Sequence, residues 1–268
     1  MRSCNINGIR VGGSPPVLMG VVNISPESFF SDSYVPDGNI RKSVERMITN
    51  GADLIDIGAR STAPGSIPIS VEDERVRLIR ALKELDGLDV TISIDTMHPE
   101  VLQAALKYDV HLANDISGLV NVEMGRVIAE SGIPAVLMAT NQTPGDCRSY
   151  NQTEFALQRV INRAEEAGVK SFILDPAVGK WIPERTPEAD FELCRRFGEL
   201  QKFDSPLLAA VSRKSFIGSA IGREPKDRLA ATLGVTTFLI LAGAAMIRTH
   251  DVAETRDLIT VISSIQET

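Results

Sequence analysis

The feature that most limits what this chain can fold into is a repeated alternation of a short apolar run, a polar loop and a helical segment. Apolar runs at 17–22, 54–57, 91–94, 112–114, 135–138, 172–174, 207–211 and 245–247 have the length and continuity of strands buried on both faces. Gly51, Gly132, Gly168 and Gly243 each stand between a helical stretch and the next run, where a left-handed residue ends a helix. Helix starts are marked as well: Ser70-Val71-Glu72-Asp73 resembles a capping box, and His98-Pro99-Glu100 puts a proline in a first turn. Eight such units in about 250 residues predict an α/β fold, a (β/α)8 TIM barrel. It spans residues 1–268 as a single domain, with its site at the carboxyl ends of the strands. A doubly wound open sheet is disfavoured. No GxGxxG follows the first run, and the polar residues suited to binding are spread over all the units rather than gathered at one crevice.

With 268 residues and 43% hydrophobic content the chain can bury a full core. Its net charge of −7 argues against a nucleic-acid partner, because a phosphate backbone is gripped by clustered Lys and Arg. Cys4, Cys147 and Cys194 are odd in number and far apart, which offers neither a disulfide framework nor a zinc site. With no signal-peptide pattern at the start, the expected location is cytoplasmic. The stretch 229–247 is apolar enough to be taken for a membrane span, but Thr232, Gly234, Thr236, Thr237 and Gly243 interrupt it. It reads as a buried helix over 229–242 followed by a strand, with no membrane partner. A helix apolar on nearly every side needs a second partner, so 229–242 is the expected face of a homodimer.

The run at 207–211 ends in Ser212-Arg213-Lys214-Ser215. Taken alone, Lys214 is an ordinary surface lysine. Its counterparts argue otherwise: Asn23, Asp56 with Gly58, Asp95-Thr96, Asn114-Asp115, Asp175-Pro176 and Arg248-Thr249-His250-Asp251 end other runs. Any one of these is a common helix cap or turn former. On one barrel rim they converge on one mouth. Asp95, Asn114 and Asp175 suit a flat heterocycle with neighbouring N–H groups, and Lys214 suits that ring's carbonyl or nitrogen. Arg248 and His250 lie two apart, and with Asn23 they suit a phosphate or diphosphate. No Ser-His-Asp or Cys-His arrangement is evident, so the set points to recognition and leaving-group stabilisation without a covalent intermediate.

These motifs resemble those of the dihydropteroate synthase family, and the likeness covers nearly the whole chain. The stretch from Gly20 through Asn23, Pro26 and Phe29 is similar to that family's first-strand motif. Gly51-Ala52-Asp53-Leu54-Ile55-Asp56-Ile57-Gly58, Ser61-Thr62 with Pro64-Gly65, Ser93-Ile94-Asp95-Thr96, Asn114-Asp115-Ile116-Ser117-Gly118, Asp175-Pro176, the Ser212–Gly218 stretch and Arg248-Thr249-His250-Asp251-Val252 follow in the family's order. The resemblance implies a transferase that joins a dihydropterin-methyl diphosphate to p-aminobenzoate or a related arylamine and releases pyrophosphate. Carried over by motif, Asp95, Asn114, Asp175, Met138 and Lys214 hold the pterin. Asn23, Arg248 and His250 hold the diphosphate, with Mg2+ at Asn23. Asp32 steadies the cation left after diphosphate departs, while Ser61, Thr62, Ser215 and Trp181 meet the acceptor.

The departures cluster on the acceptor side. Where the family's second loop has an acid before Ser-Thr and an arginine after it, this chain has Arg60 and Ala63. Its glycine-rich stretch with a phenylalanine is replaced by the shorter Ala177-Val178-Gly179-Lys180-Trp181, and Ala139-Thr140-Asn141 follows Met138 where a histidine is common. The expectation is retained pterin binding with an acceptor other than p-aminobenzoate, such as a larger arylamine. The alternatives are a methyltetrahydropterin-dependent corrinoid methyltransferase, which needs no diphosphate clamp, and a non-catalytic pterin-binding protein.

Overall fold

The structure is a computed structural model that describes residues 3–25, 34–60 and 68–266. An antiparallel hairpin absent from the sequence reading, β1 (Cys4–Ile6) and β2 (Ile9–Val11), comes first. Asn7 and Gly8 make its turn, both at positive φ (48° and 87°), the pairing that a tight hairpin favours.

The barrel strands are β3 (Val17–Asn23), β4 (Leu54–Gly58), β5 (Ile92–Asp95), β6 (Leu112–Asp115), β7 (Ala135–Met138), β8 (Phe172–Asp175), β9 (Leu208–Ala209) and β10 (Met246–Thr249). They form one parallel sheet in the order β8-β7-β6-β5-β4-β3-β10-β9. A single parallel bridge between Leu174 and Leu207 joins the two edge strands and closes the ring. Helices alternate with the strands: α1 (Ile40–Thr49), α2 (Val71–Glu84), α3 (Pro99–Ala105), α4 (Val122–Ser131), α5 (Tyr150–Ala167), α6 (Pro187–Arg195), α7 (Ser215–Ile221), α8 (Leu229–Leu241) and α9 (Val252–Gln266). The expected caps are present. The Ser70 side chain accepts from the Asp73 amide, Pro99 opens α3, and Gly132 and Gly168 end their helices at φ 72° and 79°. No helix among the described residues is long and apolar enough to cross a membrane.

Strand positions agree with the apolar runs except at 207–211, where only Leu208–Ala209 pairs. The chain leaves the sheet early because Arg213, at φ 55°, turns it into α7. Lys214 is therefore the N-cap residue of α7 rather than the last residue of a strand.

Strand side chains alternate between the two faces of a sheet. One apolar cluster joins Val17, Met19, Leu54, Leu112, Val136, Ile173, Leu208 and Met246 to Cys4, Ile6 and Val11 of the hairpin. These are inward positions, and the hairpin covers the amino-terminal end of the barrel. Each buried aliphatic side chain there stabilises by about 1.5–3 kcal/mol relative to exposure. Two residues further along four of these strands, the same inward face turns polar. Asp56 follows Leu54, Asn114 follows Leu112, Asp175 follows Ile173 and Arg248 follows Met246, while Met138 follows Val136. The strand alternation that fills the bottom of the barrel thus aims a polar layer at its top.

Candidate active site

Asp56 organises that layer. It is fully buried and accepts from Ser93 Oγ (2.6 Å), Asn114 Nδ2 (3.0 Å) and Arg248 Nε (2.7 Å). Arg248 then donates through Nη2 to Asp95 Oδ2 at 2.9 Å. One guanidinium thus joins two carboxylates, and four strands, β4, β5, β6 and β10, meet in one network. In the sequence Asp56 is one polar strand end among several, with no role implied by its motif. An acid inside the buried run Leu54-Ile55-Asp56-Ile57, two residues from an inward leucine, is the signal that finds it. Arg248, expected on a diphosphate with His250, stands among the pterin candidates as well.

The electrostatics follow from this crowding. Burial, and then the nearby Asp56 charge, push the Asp95 carboxyl up to about 7, against the pull of Arg248. Burial works against the Arg248 charge, but Asp56 and Asp95 more than offset it, so its affinity for the proton is raised. Asp175 is raised by burial and pulled back by Lys214, and its Oδ1 accepts from the Ala177 amide at 2.8 Å. Lys214 is lowered by burial and sustained by Asp175. Its Nζ donates a short hydrogen bond to the Val178 carbonyl and lies 5.2 Å from the centre of the Trp181 ring. Arg213 braces the turn that delivers Lys214. It is paired with Asp251 at 2.7 Å and donates to the Pro225 and Lys226 carbonyls. Asp115 points elsewhere, its carboxylate accepting from the Ser117 and Leu119 amides of its own turn.

Asn23 and His250 meet as the sequence suggested. Asn23 Nδ2 lies 3.3 Å from His250 Nε2, and Ser212 Oγ lies 3.3 Å from Nδ1. Burial, and then the Arg248 charge, push His250 down to about 4. It is a neutral imidazole at pH 7 before any anion arrives, with one ring nitrogen facing the Asn23 amide and the other the Ser212 hydroxyl.

The acceptor candidates are differently built. Asp32, Ser61, Thr62 and Ala63 lie outside the described residues. Arg60 turns to Glu74, a buried residue of α2, at 2.8 Å and donates to the Ile69 carbonyl at 2.8 Å. Glu74 also accepts from Thr96 Oγ1 at 2.6 Å. Nothing in the sequence around Glu74 marks it for this pairing. Trp181 packs so closely on Gly145 of the β7–α5 loop that a Cβ there would lie 2.1 Å from the Trp181 Cβ. Ser215 is the first residue of α7, next to Lys214. Met138 ends β7 with no exposure, paired in register with Asp175. The arrangement offers a carboxylate-rich mouth with two half-buried cations, Lys214 and Arg248, beside it. It suits a flat polar ring carrying an anionic group.

Residues 19–250 match the family model described as pterin binding enzyme. Dihydropteroate synthase of Escherichia coli K12 is 34% identical over 269 residues, 96% of this chain and 94% of that one. Dihydropteroate synthase of Clostridium beijerinckii is 33% identical, covering 90% and 91%. Among solved structures, a Coxiella burnetii dihydropteroate synthase in complex with pteroic acid has a TM-score of 0.85 at 27% identity, covering 100% and 99%. The Xanthomonas albilineans dihydropteroate synthase with 4-aminobenzoic acid has a TM-score of 0.88 at 30% identity, covering 99% and 98%.

Proposed function

The chain belongs to the dihydropteroate synthase family of pterin-binding enzymes, and we propose how its own residues carry out that family's transfer. It is a transferase that condenses 6-hydroxymethyl-7,8-dihydropterin diphosphate with p-aminobenzoate or a related arylamine. The observation that carries the residue assignment is the Asp56–Arg248–Asp95 network at one mouth with Asn114, Asp175 and Lys214. Asp95 and Asp175 accept the N–H groups of the pterin, Asn114 contributes both a donor and an acceptor, and Lys214 donates to the ring. Arg248, Asn23 and His250 face the diphosphate. The carbon–oxygen bond to diphosphate breaks and the leaving group takes the electron pair. The methylene cation delocalises into the dihydropterin. The arylamine nitrogen then attacks that carbon and loses one proton. What the protein contributes is fixed charge at the leaving group and a dry, acid-lined seat for the cation. We assign Asp32 to steadying that cation and Met138, buried at the end of β7, to the pterin. Ser61, Thr62, Ser215 and Trp181 are assigned to the acceptor.

Among the described residues no group of three or more His, Cys, Asp or Glu side chains is placed to hold a metal. Asn23 is the residue that would hold Mg2+, through a single neutral amide oxygen, which suits an ion that enters with the diphosphate. The ion would supply positive charge against the departing pyrophosphate.

We place the protein in the cytoplasm as one pterin-binding domain, in keeping with three buried free cysteines. It pairs with a second copy across α8, where Phe238 and Leu241 are exposed beside Val261 and Ile265 of α9. The test of the function is pyrophosphate release from the dihydropterin diphosphate with and without arylamine. Release that depends on the arylamine is expected. Tight pterin binding without release, or cobalamin-dependent methyl transfer, would sink the reading. Comparing p-aminobenzoate with a larger arylamine tests the altered acceptor loops. A clear preference for the larger compound is expected, and ordinary turnover of p-aminobenzoate would remove that part.

A further inference from the structure

Behind Lys214 lies an ion pair outside the residues assigned to either substrate. Arg185 and Asp190 are both buried, 2% and 1% exposed. Asp190 Oδ1 accepts from Arg185 Nε at 2.9 Å and from the Gly179 amide at 2.8 Å. Arg185 Nη1 reaches across to the Cys147 carbonyl at 2.9 Å. Each contact leads towards the site. Gly179 follows Val178, whose carbonyl receives the Lys214 ammonium. Gly179 itself, at φ 118°, lies so close to the lysine stem that a Cβ would stand 2.6 Å from Lys214 Cδ. Cys147 belongs to the same β7–α5 loop as Gly145, against which Trp181 is pressed. One buried pair therefore fastens the Val178–Trp181 segment to α6 at one point and to the neighbouring loop at another.

We infer that Arg185 and Asp190 are positioning residues that set Lys214 for the pterin and join the two loops that wall the acceptor, an inference that rests on the transfer proposed above. An isolated buried pair is weak evidence for stability, since its desolvation cost offsets its attraction, and a specifying role is the better-supported use of one. The two charges also face Lys214 with opposite sign, Asp190 sustaining its proton and Arg185 weakening it. Their joint effect on the ammonium is mainly geometric. Each acts through a different partner, Asp190 through Gly179 and the lysine, Arg185 through Cys147 and the loop that backs Trp181. Removing one should then disturb one substrate more than the other.

Trp181 is the only tryptophan in the chain, so its fluorescence reports this wall directly. The experiment compares separate KM values for the dihydropterin diphosphate and for the arylamine, together with Trp181 emission, in wild type, Asp190→Ala, Asp190→Asn and Arg185→Lys. Asp190→Ala is expected to raise the pterin KM on the order of tenfold, within the hundredfold that a misplacement of about 1 Å can cost. Asp190→Asn keeps an acceptor for the Gly179 amide and is expected to raise it less. Arg185→Lys keeps the charge but not the reach to Cys147. It is expected to raise the arylamine KM and shift Trp181 emission while the pterin KM stays near wild type. If the Asp190 variants fail to fold, Arg185→Lys alone decides. Unchanged arylamine KM and emission in it, or equal rises in both KM values, overturn the inference. So does a folded Asp190→Ala with wild-type KM values and a lowered melting temperature only. Wild type that releases no pyrophosphate with any arylamine sinks the functional reading instead. Pterin binding by Trp181 quenching then still tests the positioning of Lys214, and equal affinity in Asp190→Ala overturns it.

Discussion

The two halves of the site are made in different ways. The half assigned to the pterin is built on strand ends: Asp56, Asp95, Asn114, Asp175 and Arg248 all stand on inward positions of a closed sheet, and hydrogen bonds join Asp56 to Asn114 and Arg248, and Arg248 to Asp95. The half proposed for the acceptor is built on loops, with Trp181 resting on Gly145 and Arg60 paired with Glu74. A strand end is fixed by the ladder on both sides, so a residue there is set by the fold and tolerates little change. A loop residue is set by whatever contacts that loop happens to make. The departures from the family pattern at Arg60, Ala63 and Trp181 fall on the loop half. A fold can keep one substrate and vary the other by this division.

Breaking the strand-built half should cost the most. Arg248→Ala leaves Asp56 buried without its cation and is expected to lower stability by about 3–5 kcal/mol. It should also abolish tight binding of pterins with or without the diphosphate. Urea unfolding and calorimetric titration check both. Loss confined to the diphosphate-bearing ligand would return Arg248 to the clamp alone and weaken the idea of a single linked network.

The same half should be sensitive to pH near neutrality. Asp95, raised to about 7 by burial and Asp56, is mostly protonated at pH 6 and mostly ionised at pH 8. Acceptance of two pterin N–H groups needs the carboxylate, so affinity should be roughly tenfold weaker at pH 6 than at pH 8. For stability the sign is reversed. The folded chain keeps a proton that the unfolded chain has released, so the contribution of Asp95 is full below about pH 4 and is lost as pH rises through about 7. A flat affinity from pH 6 to 8 would show that Asp95 binds as the neutral acid.

The loop half should respond more mildly and selectively. Trp181→Ala is expected to raise the arylamine KM roughly tenfold, about 1.4 kcal/mol of lost contact, with pterin affinity changed less than about twofold. An equal loss for both substrates would erase the distinction between the halves. Smallest is Ser215→Ala, which removes one hydroxyl at the start of α7 and should raise the arylamine KM about three- to fivefold. No effect there would place the acceptor's carboxylate elsewhere.

Much of the strand-built half was legible in the sequence because a period of two, apolar and then polar, survives in the order of residues. Asn114, Asp175 and Arg248 each stand two places beyond an apolar residue, and each proved to share its face. The hairpin at Cys4–Ile6 and Ile9–Val11 was missed because its strands are three residues long, too short for any period to show. Strand β9 was overextended because an apolar run does not reveal where pairing stops, which Arg213 decides by turning the chain. Glu74 and Asp190 were invisible for another reason. Acids near helix starts ordinarily serve the helix dipole, and nothing local marks these two as buried.

The barrel, the rim on which its polar residues gather and the family to which those residues belong can all be read from the order of residues. All three are written in local periodicity and short motifs. The pairings came only with the fold: Arg248 spans Asp56 and Asp95, Arg60 pairs with Glu74, and Arg185 and Asp190 stand behind Lys214. Charge pairing inside a low-dielectric core depends on distances of a few ångströms between residues far apart in the chain, and those distances exist only after folding.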